Sequence, residues 1–298
     1  MKKLLIALAA VAAFGAAQAQ VSIYGLVNAT VDNTKTGTAA AVNSLVNDLS
    51  RIGFAVKEDL GSGLGVRAVI ETSIKSQDPT TANTTQFGDR QATVGLVNKV
   101  GSIDLGRNVH SQFLAITNND VFGTLYGSVA GDVHNLRGLR MSNGVFASVS
   151  PVAGVNASVD RTYTATGNEA ISYGASASVG GINVTAARYS DGGVETSNVV
   201  GASTTLGNTT IAYTGSDNKS ATVGETKKGS LIGVAQKFGV ITAKASYGRT
   251  NTSLDAYNVG AEYALGKRTA VLVSYRSVNA TGTASDIKQA GVGLTHAF

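Results

Sequence analysis

The chain has 298 residues, of which 14% are charged, against roughly 25% in an average soluble domain. It carries 36 glycines, two prolines, and neither cysteine nor tryptophan. Without cysteine there is no disulfide scaffold, no thiol nucleophile and no cysteine-ligated zinc or iron–sulfur site. A helical membrane bundle needs several runs of about 20 apolar residues, and only one run here approaches that length. The formal net charge of +5 with 43% apolar residues is not the signature of a chain kept disordered by self-repulsion.

The single apolar run opens the chain. Lys2 and Lys3 precede a nearly unbroken apolar stretch from Leu4 to Ala17, and Ala17-Gln18-Ala19 reads as a small-x-small cleavage site. This is the layout of a secretory signal peptide over residues 1–19, too short and wrongly flanked for a membrane span. An amphipathic helix would show a polar face, which this stretch lacks. Its removal would leave a mature domain of residues 20–298 and lower the net charge from +5 to +3.

From Gln20 onward the pattern is alternation of period two. Val21, Ile23, Val27, Ala29 and Val31 share one parity, and Ser22, Tyr24, Asn28, Thr30 and Asp32 the other. Ile52, Phe54 and Val56 alternate with Arg51, Gly53 and Lys57; Val66, Ala68 and Ile70 with Arg67, Val69 and Glu71; Ile171 through Val179 with small polar residues. Side chains on a strand point alternately to opposite faces, so each stretch is a ribbon with one apolar and one polar side. Short turn signals at 61–63, 101–102, 180–181, 207–208, 238–239 and 265–268 interleave with longer polar connections at 33–49, 76–88, 163–169, 190–197, 215–228, 249–255 and 280–286. The longest connection, about 108–136, holds apolar residues of its own. About sixteen ribbons result, with fourteen as the alternative count.

Short and long connections in turn predict an all-β, antiparallel, up-and-down barrel. Sixteen strands in a ring enclose a space too wide for side chains to fill. The polar parity then lines water and the apolar parity faces lipid. Closure also follows, because an open sheet edge in hydrocarbon leaves N–H and C=O groups unsatisfied. The mature 279 residues allow about 17 per strand and connection, and a tilted spanning strand needs about 9–11. External loops are therefore expected to be short.

Five segments, in order, resemble the general diffusion porins of Gram-negative bacteria, particularly their betaproteobacterial branch. They are Val21 to Gly25; Ser50 to Phe54 with Glu58 to Leu64; Arg90 to Leu96 with Gly101 to Asn108; Tyr257 to Thr269; and Gly291 to Phe298. The resemblance implies a transmembrane barrel of the outer membrane, with a third loop folded inward, that passes small hydrophilic solutes and inorganic ions by passive diffusion. It also implies a homotrimer, with 76–88 as a candidate latch, and a terminal Phe298 read by the barrel-assembly machinery. The chain departs from the family in its short length and missing tryptophan. Tyr173, Tyr213, Tyr247, Tyr263 and Tyr275 would have to supply the aromatic girdles. The segment Asn143 to Pro151 resembles the sixth strand one residue out of step.

By the same resemblance, the stretch 108–136 is the loop that narrows the pore, its acids facing wall arginines. The expected constriction comprises Arg51, Arg67, Arg90, Arg140 and Glu71 on the wall with Asp120 and Asp132 on the loop. Arg51, Arg67, Arg140 and Glu71 lie on lumenal parity. Arg90 shares its parity with Ala92, Val94 and Leu96, so its placement rests on the resemblance. A charge on the lipid face at mid-depth costs about 2–4 kcal/mol, which argues that mid-strand arginines point inward. The balance of these groups is positive, and cationic rings favour anions; a modest anion preference is expected.

Other motifs carry less. Gly61-Ser62-Gly63-Leu64-Gly65 lacks the helix and Lys-Ser/Thr of a phosphate loop. His110, His134 and His296 have no ligand spacing, and no metal or cofactor is expected. Ser111, His110, His134 and Asp132 lack a nucleophile motif, so the chain is not read as an enzyme. Lys227-Lys228 reads as a solvated loop tip rather than a nucleic-acid patch. The alternatives are a substrate-specific channel and, in another class, a surface adhesin or autotransporter-type β protein. The latter should show the fixed repeat of a solenoid, which is not seen here.

Overall fold

The computed structural model describes residues 20–47, 49–74, 86–124, 126–134, 139–163, 169–220, 226–280 and 286–298. The expected export segment 1–19 and residues 76–85 of the expected latch 76–88 lie outside them.

Among the described residues, seventeen strands form one antiparallel sheet that closes on itself. β1 (Gln20–Thr36) pairs along one edge with β2 (Val42–Val46) and β3 (Arg51–Gly61). β2 and β3 are two pieces of one stave, interrupted at 47–50, so the barrel has sixteen staves. The order continues through β4 (Leu64–Ser73), β5 (Gln91–Val97), β6 (Gly101–Val109), β7 (Arg140–Val149), β8 (Val155–Thr162) and β9 (Ala170–Val179). It goes on through β10 (Ile182–Asp191), β11 (Glu195–Leu206), β12 (Thr209–Ser220), β13 (Thr226–Phe238) and β14 (Ile241–Thr250) to β15 (Leu254–Ala264), β16 (Thr269–Ala280) and β17 (Ile287–Ala297). The seam is the pairing of β17 with the other edge of β1, from Leu26 opposite Ala297 to Thr36 opposite Ile287. Gly25 and Phe298 then exchange backbone hydrogen bonds of 3.0 and 3.1 Å. Gly25 has no side chain because the Phe298 ring occupies that space; a Cβ there would stand 2.3 Å from it.

The two parities separate as expected. On β1, Val21, Ile23 and Val31 are 62%, 60% and 56% exposed, while Asn28, Thr30 and Asp32 are 2%, 0% and 1% exposed. Valine, isoleucine and leucine dominate the outer face of the other staves as well. Tyr173, Tyr213, Tyr247 and Tyr263 stand exposed on that face, and Tyr275 is half-buried beside the tilted ring of Tyr257.

Several boundaries differ from the reading of the turns. Gly101-Ser102 lies inside β6, and the turn is 98–100. The expected connections 33–49, 190–197 and 249–255 shrink to gaps of a few residues, because β1, β10, β11, β14 and β15 continue through polar sequence. Lys227-Lys228 belongs to β13 and is not a loop tip. Ladder hydrogen bonds need no apolar side chain. Above the level of the hydrocarbon a strand can therefore go on in residues that read as loop.

Candidate functional site

The described residues of the connection between 110 and 134 fold into the barrel. His110 leaves β6 fully buried, stacked on Tyr189 with ring centroids 4.8 Å apart. Helix α1 (Ser111–Thr117) then runs against β8 to β11. Its first residue is held by Asp160 on β8, which accepts from the Ser111 N–H at 2.7 Å and its hydroxyl at 2.5 Å. Gln112 donates to Ser197, and Asn119 to Thr185, each at 2.9 Å. A second short helix, α2 (Ala130–Val133), packs on β13 to β15. Beneath the loop, Ile116, Val129, Ala130 and Val133 meet Ala187, Val199, Leu231, Ala256 and Val278 of the wall. This is the larger of two buried apolar clusters among the described residues. It lies between loop and wall and explains why those inward positions are not polar.

The loop acids do not face the arginines expected to oppose them. Asp120 turns its carboxylate onto the loop itself, accepting from the N–H of Phe122 at 3.0 Å, the N–H of Thr124 at 2.7 Å and the Ser128 hydroxyl at 2.6 Å. It shapes the tip. Asp132 reaches Arg276 of β16 at 3.4 Å, and its carbonyl accepts from Lys227 at 3.1 Å. Burial pushes the Asp132 carboxyl up from its ordinary value, against the opposing pull of Arg276 and Lys227. His134 is bonded through its ring nitrogens to Ser216 at 2.7 Å and Thr214 at 3.1 Å. Burial, aided by the charge of Lys227, pulls its pKa down to about 4. Ser111 is bonded to Asp160, and His134 to Ser216 and Thr214, so these residues do not assemble into a nucleophile–base pair.

The arginines gather on the opposite wall around Glu71. Arg90 donates to Glu71 at 2.6 Å, Arg51 stands 3.7 Å from it, and the Tyr24 hydroxyl donates to it at 3.0 Å. Tyr24 crosses β3 only because position 53 is glycine; a Cβ there would stand 2.2 Å from the ring. The register places Gly53 opposite both Tyr24 and Glu71, so the motif Arg51-Ile52-Gly53 aligns the cluster. Arg67 forms a forked pair with Asp104 on β6, its Nε donating at 2.7 Å.

Two arginines arrive by routes that parity does not describe. Arg90 precedes the first ladder residue of β5, Gln91. It is therefore free of the alternation that grouped it with Ala92 and Val94, and Thr93 is the buried residue. Arg140 was placed on lumenal parity with the rest of β7. Asn143, however, stands at a φ of 51° and the ladder shifts between Gly106 and Asn108. Met141 takes the inward position instead, packed with Phe146 and Tyr189. Arg140 joins the group from the end of the strand, half-buried and interacting electrostatically with Arg90, Glu71, Arg107 and Asp89. Burial pushes Asp89 up, but bonds from Ser73 and Thr72 and the charge of Arg90 more than offset this and hold it below the usual carboxylate value.

Arg276, Lys227, Lys244 and Asp160 were missed by the sequence reading. Arg276 follows the outward Val273 and Tyr275 by parity and was legible. Lys227 was hidden by its assignment to a loop.

A closed, lipid-facing barrel with a loop folded across its interior defines a pore-type protein of the outer membrane. The chain belongs to the Gram-negative porin family, whose model matches residues 5–283. Outer membrane porin protein 32 of Delftia acidovorans is 35% identical over 129 residues, 41% of this chain and 36% of that protein. Major outer membrane protein P.IB of Neisseria meningitidis serogroup B is 36% identical over 115 residues, 36% of this chain and 34% of the relative. The matches thus span about a third of these curated relatives. Among solved structures, an anion-selective porin from Comamonas acidovorans superposes with a TM-score of 0.79 at 21% identity, covering 94% of this chain and all of that one. Salmonella typhi OmpF gives 0.77 at 19% identity, covering 93% and 97%. These likenesses confirm the barrel fold.

Proposed function

We propose that the barrel is a water-filled channel through which small hydrophilic solutes and inorganic ions diffuse passively, with a modest preference for anions. The observation that carries this reading is the wall sector formed by β3 to β7. Arg51, Arg67, Arg90, Arg107 and Arg140 there stand against Glu71, Asp89 and Asp104, across from a loop whose own acids are engaged elsewhere. The Nε of Arg140 is buried without a hydrogen-bond partner among the described residues, so no bonded carboxylate offsets its charge there. Low-dielectric walls focus such a field on the aqueous path. The similarity to a structure described as anion-selective supports the same sign.

The test is the reversal potential of the purified, refolded chain in a planar bilayer across a KCl gradient. Anion selectivity is expected, and cation selectivity would overturn the proposal.

The constriction is assigned to Arg51, Arg67, Arg90, Arg140 and Glu71, with Asp120 and Asp132 shaping and anchoring the loop rather than opposing the arginines. Vibrio cholerae OmpT, a structural neighbour with a TM-score of 0.70, is described in a trimer form, and a homotrimer is proposed here; unheated gel migration before and after cross-linking tests it. Residues 1–19 are taken as a removable signal, to be checked by amino-terminal sequencing of the membrane form. Phe298, sealing the seam against Gly25, is assigned as the signal to the assembly machinery.

A further inference from the structure

On the short-turn side of the loop tip the lumen wall holds a cavity of about 240 Å³, unrelated to the arginine cluster. Its walls include Leu26, Phe122, Tyr126 and Leu272, and its polar groups include Lys244 and Glu262. Leu26 and Leu272 are half-buried inward residues outside the apolar core beneath the loop. Ion passage does not require them. The Lys244 ammonium donates to Glu262 at 2.5 Å and lies 5.7 Å from the centre of the Phe122 ring. The Glu262 side chain is 40% exposed.

We propose that this cavity binds apolar α-amino acids in transit, the carboxylate meeting Lys244, the ammonium meeting Glu262, and the side chain resting on Leu26, Leu272 and Phe122. An ammonium has three donors and a carboxylate about four acceptor sites, so the pair leaves capacity on both partners for a ligand. The pair is neutral as a unit, which gives a simple anion or cation an attraction and a repulsion together. A zwitterion matches both ends at once with charge-assisted bonds. A mostly apolar lining with a few convergent polar groups is the usual composition of a small-molecule site, and the volume falls below the roughly 300–1,000 Å³ of drug-sized pockets. The proposal rests on the channel reading, since the cavity opens from the lumen.

The experiment is single-channel recording of the full barrel in a planar bilayer, with amino acids added to one side. L-phenylalanine and L-leucine are expected to interrupt the current in proportion to concentration. Glycine, which lacks the side chain, and 3-phenylpropionate, which lacks the ammonium, should do so at least about tenfold more weakly. Lys244→Met and Glu262→Gln should each weaken the phenylalanine interruptions by about tenfold or more. Equal interruption by glycine or by phenylpropionate would overturn the proposal, as would variants that respond like the original chain. Steady conductance with no interruption by phenylalanine would remove this site and leave the channel standing. A reconstituted barrel with no conductance at all would remove the channel reading itself.

Discussion

The lumen wall has two unlike halves. From β8 to β16 it is sheathed by the inward loop. Ile116, Val129 and Val133 are sealed against Val199, Leu231 and Val278, and the edges are pinned by Asp160, Ser197, Ser216 and Arg276. From β3 to β6 the wall takes no part in that apolar seal, and its charges are grouped around Glu71 and Asp104 rather than against the loop. The same alternating strands serve both halves. Small and apolar inward residues meet the loop's apolar side, and the arginines collect on the other half. On the proposed channel reading, hydrophobic contact sets the size of the passage and the other half its electrostatic sign.

Replacing Arg51, Arg90 and Arg140 together by alanine breaks the contrast at its charged side and should have the largest effect. It leaves Glu71 with no arginine partner, so the sector's charge falls sharply and anion preference is expected to vanish or reverse in KCl-gradient reversal potentials. Unchanged selectivity would show that the field arises elsewhere. The other side is broken by Ile116→Ala. Emptying a fully buried isoleucine site costs roughly 2–5 kcal/mol, charged here to loop docking rather than to the barrel. Conductance and current noise should rise while the unheated gel band persists; an unaltered current would mean that the apolar seal does not hold the loop.

The smallest expected effect is with pH. His134 in the docked loop has its pKa pulled down to about 4, against about 6.5 when free. Proton uptake thus favours the undocked loop, and docking should weaken as pH falls from about 6.5 toward 4 and change no further from this source below that. Asp132, with its carboxyl pushed up by burial, acts in the opposite sense, because protonation relieves its buried charge. His134→Gln should abolish the acid-induced noise and leave only the Asp132 component. Noise that rises equally in the variant would assign it to another group.

Much of this architecture is written in the alternation. The outer valines of β1, the turns at 180–181 and 207–208, and the closing run from Gly291 to Phe298 all read directly, because lipid tolerates only one parity. The reading failed where lipid no longer constrains the chain. Polar upper ends of β10, β11 and β13 continue as strand, and Lys227 was misplaced as a result. It failed again where one local irregularity displaced a side chain, as the left-handed Asn143 did for Arg140. The pairing of Asp132 with Arg276, 144 residues apart, depends on the path of the loop across the barrel, which no local pattern encodes. The same holds for Asp120, whose sequence neighbourhood gives no hint that it bonds its own loop.

Asp32 has a consequence for how the molecule is put together. Its two carboxylate oxygens accept from Tyr126 of the loop and from Gln289 of β17, joining the first staves, the middle and the last staves of the chain in one rivet. Contacts of such long sequence separation form late, because loop-closure entropy opposes them. The rivet is complete only once both edges of the sheet have met. Of the two contacts, Tyr126 lies 94 residues from Asp32 and Gln289 lies 257, so the larger entropy cost falls on the seam, and Asp32 holds both partners only in a molecule whose circle has been joined.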